Sequence, residues 1–97
     1  MKDRLNVVQC HIDLHVENSH SLKEKRRIIK SLKDRIKNQY NVAICEYGDL
    51  SLWQRAQLGL VSCSNEKNAA EATLKMAIDM IGHFPAVAII DYRIEVI

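Results

Sequence analysis

One proline, three glycines, one tryptophan and one phenylalanine are few for a chain of 97 residues. So little turn chemistry excludes a collagenous, low-complexity or loop-dominated polypeptide. Cys10, Cys45 and Cys63 are odd in number, far apart and without CxxC or metal-ligand spacing, which argues against a disulfide framework or a zinc site. Each lies in a segment that reads as a strand, where a reduced thiol serves as a small apolar filler. No stretch approaches the roughly 20 apolar residues that cross a bilayer. The opening MKDRLNVV has neither the apolar core nor the cleavage site of a secretory leader. The expected setting is therefore the cytoplasm, with no membrane partner. Gly-rich phosphate loops, nucleophile elbows and HExxH are missing as well, so no catalytic residue, metal ligand or cofactor is expected and the chain reads as a non-enzyme.

The composition that remains, 47% hydrophobic and 27% charged, suits one small globular domain over residues 1–97. Net charge is only +2, but it is unevenly placed. Residues 21–39 hold Lys23, Lys25, Arg26, Arg27, Lys30, Lys33, Arg35 and Lys37 against Glu24 and Asp34, eight minus two, or +6. The rest of the chain, with six bases and ten acids, carries −4.

Hydrophobic periodicity orders the chain. In LNVVQCHIDLHVE, Val8, Cys10, Ile12, Leu14 and Val16 alternate strictly with Gln9, His11, Asp13, His15 and Glu17, the period of a half-buried strand. Ser21 and Glu24 form an S-x-x-E capping box that opens a helix. At about 100° per residue its Leu22, Ile28, Ile29, Leu32 and Ile36 form one stripe, rejoined by Tyr40. Arg26, Lys30, Lys33 and Lys37 line up beside the stripe, with Lys23 and Arg27 on their outer flank and Arg35 apart. Lys25 projects to the apolar side, where its stem is expected to snorkel past the edge of the core.

Segments 41–47 (NVAICEY) and 53–64 (WQRAQLGLVSCS) read as a hairpin around GDLSL, with Tyr47 and Trp53 flanking the turn and able to pack on one another. A second helix is expected from Glu66 to Ile81, capped by Ser64 or Asn65 and closed by Gly82 before Pro85. Its apolar positions include Ala70, Thr73, Leu74, Ala77, Met80 and Ile81. A final strand, Val87 to Val96, should turn Ala88, Ile90, Tyr92, Ile94 and Val96 to one face and Asp91, Arg93 and Glu95 to the other. The order βαββαβ implies an α+β class: a ferredoxin-like two-layer sandwich, a four-stranded antiparallel sheet with both helices on one face. The outer sheet face should then be polar, bearing Gln9, His11, Asp13, His15, Arg55, Gln57, Asp91 and Arg93.

The cationic helix suggests a polyanion. Lys and Arg along one flank can meet successive phosphates and gain from counterion release. The residues expected to contact nucleic acid are Lys23, Arg26, Arg27, Lys30, Lys33 and Lys37, and the expected partner is ribosomal RNA or the ribosome. His11, Asp13 and His15 share one side of the first strand. Their spacing of roughly 6.5–7 Å per alternate residue does not converge on a metal ion, and Asp13 pairs more simply with Arg55 or Arg93. The stacking aromatics of an RRM sheet are absent, His11 and Gly59 standing at the outward positions. A second reading is a protein-interaction module, a homodimer joined through the sheet face or a strand edge.

S-L-K-E-K-R-R at 21–27, K-S-L at 30–32, N-V at 41–42 and W-Q-R-A-x-L-G at 53–59 together resemble the YlxP-like family of small bacterial proteins. The resemblance implies a ferredoxin-like fold and a bacterial cytoplasmic protein. Genes of that family commonly neighbour those of a translation initiation factor and ribosome-binding factor A, which implies a place in translation or ribosome maturation. The family supplies no catalytic residues. Y-G-D-L-S-L at 47–52 departs from the acidic or His-containing turn frequent in the family, and Cys45 and Cys63 are local choices.

Overall fold

The computed structural model describes residues 4–97. The expected element order is observed: β1 (Asn6–Val16), α1 (Leu22–Gln39), β2 (Ala43–Tyr47), β3 (Arg55–Ser64), α2 (Lys67–Gly82) and β4 (Val87–Val96). All strand pairs are antiparallel and the sheet order is β2-β3-β1-β4, with both helices packed on one face. This is the ferredoxin-like α+β sandwich.

Alternation in β1 sets the core. Val8, Cys10, Ile12, Leu14 and Val16 are all buried, and their β3 partners Leu60, Leu58 and Ala56 share the same face. Ile29, Leu32 and Ile36 of α1, with Ala70, Leu74, Ala77, Ile78 and Ile81 of α2, cover that face. Burial pushes the Cys10 thiol up to about 11, so it stays a neutral filler. Cys45 and Cys63, in contrast, are exposed, because their parity places them on the outer face.

β4 departs from simple alternation. Its pairing with β1 runs Asp13↔Asp91 and then Leu14↔Ile89, so Ile90 is an extra residue in a bulge. The strand changes parity there: Val87 and Ile89 join the core, while Ala88 and Ile90, expected inside, do not face it. Beyond the bulge Tyr92, Ile94 and Val96 share one face as expected, and lie opposite Ile12, Cys10 and Val8.

Two other expectations need revision. The α2 N-cap is Glu66, whose side chain makes no cap bond. Ser64 Oγ instead accepts the N–H of Glu66 itself at 3.1 Å, so it leaves the N–H groups of the first helical turn unserved. The hairpin loop is also longer than the sequence suggests, covering residues 48–54, since β2 ends at Tyr47 and β3 starts at Arg55. Gly48 opens it at φ +80°, a left-handed conformation that favours glycine, and a Cβ there would collide with the Gln57 side chain.

Candidate nucleic-acid interface

The start of α1 is built as its sequence implies. Ser21 Oγ accepts the Glu24 N–H at 3.1 Å, and the Glu24 carboxylate accepts the His20 N–H at 2.8 Å. Glu24 is thereby occupied by the cap rather than by a base. Ile29, Leu32 and Ile36 face inward, and the 3.6-residue repeat then turns Arg26, Lys30, Lys33 and Lys37 to a lateral flank. Lys23, Arg26, Arg27, Lys30 and Lys37 are exposed and Lys33 is half-buried.

Among the described residues, Lys30 alone of these six lies within ion-pair distance of a carboxylate. It meets Asp34 at 2.9 Å one turn on, with both groups well exposed. The hydrogen bond from Lys30, with weaker help from Lys37 and Lys33, holds the Asp34 carboxyl below its ordinary value. Such a solvent-exposed pair contributes little to stability and is readily exchanged for a phosphate. Arg35 stands apart, with its guanidinium 5.7 Å from the centre of the Phe84 ring. That contact sets the segment following α2 on the opposite side of α1 from the cationic flank, which is turned toward the β2 edge of the sheet.

Lys25 behaves differently from the expected snorkel. It is 0% exposed and its ammonium ends on Glu46 Oε2 at 2.5 Å, with the Leu50 carbonyl at 3.4 Å. The Glu46 contact is an ion pair without hydrogen-bond alignment. Glu46 sits at the same parity as Ile44, on the helix side of β2, so two charges on two apolar faces find each other. The clue was present in the sequence, a charge at an apolar position in each element, but partnering them required the fold. Lys25 also ties the 48–54 loop to the first turn of α1, and Gln54 Nε2 adds a bond to the Ser19 carbonyl at 3.1 Å. Leu50, Leu52 and Trp53 on this loop remain exposed.

The outer sheet face is polar in one part only. Asp13 accepts from Arg55 at 2.7 Å, while Arg93 pairs with Glu95 at 2.7 Å, a contact that raises the guanidinium pKa further. Ala43, Cys45, Gly59, Val61 and Cys63 form an apolar remainder that sequence reading missed, because β2 is too short to display a period. Part of it lines a groove of about 340 Å³. Tyr47 crosses over Gly59, where a Cβ would touch its ring at 3.6 Å, and its hydroxyl meets His11 Nδ1 at 2.9 Å. Tyr47 thus packs edge-on against His11 rather than on Trp53. His11, Asp13 and His15 do not converge: His11 binds Tyr47 and Gln9, and Asp13 binds Arg55.

Residues 7–94 match the family described as "Protein of unknown function (DUF503)". The chain belongs to the DUF503 family. Its similarity to "Uncharacterized protein YlxP" of Bacillus subtilis (strain 168) is 33% identity over 72 residues, 74% of this chain and 78% of that one. Solved structures with the DUF503 chain's architecture include the de novo designed protein Foldit4. That likeness has a TM-score of 0.51 at 15% identity, over 97% of this chain and 94% of that one. A C-terminal segment of the alpha subunit of aIF2 from Pyrococcus abyssi gives a TM-score of 0.50 at 9% identity, over 96% and 49%. At these identities both are likenesses of fold. Among the described residues of this DUF503 member, no helix is long and apolar enough to cross a membrane.

Proposed function

We propose that the protein is a non-enzymatic, cytoplasmic accessory factor that binds RNA, in the ribosome or during its assembly, through the phosphate-facing flank of α1. The observation that carries this reading is the row Lys23, Arg26, Arg27, Lys33 and Lys37, exposed or half-exposed and without a carboxylate within 4.0 Å among the described residues. Lys25 does not count toward it. With that charge neutralised inside, the helix keeps seven bases against Glu24 and Asp34, or +5, and the rest of the chain balances at −3. Such a row reads phosphate spacing, not sequence, and its affinity should be micromolar in order and strongly salt-dependent. The resemblance to YlxP-like proteins points in the same direction.

Fluorescence anisotropy with a labelled ribosomal RNA fragment across a salt series tests it. Five contacts to a single strand predict a slope of log Kobs against log[salt] of about −3 to −4. Reversing Arg26→Glu with Lys30→Glu should flatten that slope and lower affinity by more than about tenfold. No binding at about 50 mM salt, or indifference to the double reversal, rules the reading out.

A further inference from the structure

We infer that the free edge of β4 is a self-association seam, on which a second copy of this chain pairs antiparallel about a two-fold axis at Ile94. Among the described residues the sheet has two open edges, β2 and β4. β2 is five residues long and packs under α1, the helix that carries the cationic row, so pairing there would bring two such rows together. β4 is ten residues long and contains no lysine or proline, the residues that most often blunt an edge. Tyr92 and Val96 lie on its helix side, in register with core residues Ile12 and Val8, yet stay 51% and 50% exposed. They extend the core layer to the rim, where none of the described residues covers it.

Backbone direction and charge then select the register. The Ile97 N–H donates to the Val7 carbonyl at 2.9 Å. Odd-numbered residues past the bulge therefore spend their backbone groups on β1, and Tyr92, Ile94 and Val96 direct theirs outward. A two-fold axis at Ile94 sets Ile94 against its own copy and Tyr92 against Val96 of the other chain, so every outward group finds a partner. On the opposite face Arg93 meets Glu95 of the second copy, and Glu95 meets Arg93. Moving the axis to Arg93 would oppose arginine to arginine and Asp91 to Glu95. Moving it to Tyr92 would set Ile94 against the Ile90 bulge and leave Val96 uncovered. The two core layers become continuous only in the Ile94 register. Both α1 flanks stay free, so the seam is independent of RNA binding.

Analytical ultracentrifugation of the full chain tests the proposal. Expected is a species of twice 11.1 kDa, about 22 kDa. Arg93→Glu and Glu95→Arg alone should each weaken association about tenfold or more, and the double exchange should restore it to within about threefold. These two side chains are exposed and lie outside the core, so folding is not at stake. Tyr92→Lys with Val96→Lys should give a folded monomer by circular dichroism, and Val61→Glu on the outer face should leave the mass unchanged. A monomer up to about 0.5 mM, a dimer broken by Val61→Glu instead, or a double charge exchange no better than the single ones would overturn the seam.

Discussion

Lys25 and Glu46 show how one pair of side chains can be costly to break and cheap to replace. Each is largely removed from water, and each relies on the other for compensation. Lys25→Met alone leaves a carboxylate facing the core and should destabilise by about 3–5 kcal/mol, and Glu46→Leu alone should cost a similar amount. The combined Lys25→Met/Glu46→Leu change should fall within about 1 kcal/mol of the parent or exceed it. Urea unfolding of the four proteins, read as a double-mutant cycle, measures the coupling. A cycle in which the two losses simply add would contradict the pairing. Helical periodicity alone put Lys25 on the apolar side of α1, because that geometry is local. The identity of its partner was hidden, since Glu46 is 21 residues away and joined to it only by packing. Tyr47 is a similar case: Gly59 leaves room for its ring, a condition set by pairing across three strands.

Among the elements, β1 and α1 are the ones whose sequences speak for their structures, because each runs long enough to repeat its period several times. β4 looked equally plain and was half misread. A bulge is invisible to an alternation count when the extra residue is itself apolar, as Ile90 is. The geometry makes an unusual prediction. Deleting Ile90 should leave Val87 and Ile89 inward, Ala88 and Asp91 outward and Tyr92 inward, with every neighbour on its present face. The deletion should cost less than about 1 kcal/mol by thermal denaturation, while deleting Gln9 from the bulge-free β1 should cost more than about 4 kcal/mol. A large loss from the Ile90 deletion would show that the kink itself is needed to carry the strand past α2.

For the molecule as a whole, charge and surface chemistry divide by layer. Cations gather on the helix layer, paired ions and an apolar strip share the open side of the sheet, and β4 supplies an unguarded rim. The cationic flank was legible beforehand because one helix contains all of it. The strip and the rim were not, since both arise from which strands become neighbours, and no local pattern encodes that. β1 and β4 lie side by side with opposite direction, so the amide of Ile97 touches the carbonyl of Val7. A linker running from Ile97 to Arg4, with residues 1–3 left out, would close the backbone into a ring along this edge. The cyclised protein should melt above its linear parent, as the loose chain would forfeit less freedom on folding. A new start opened inside the 48–54 loop should leave the same core intact.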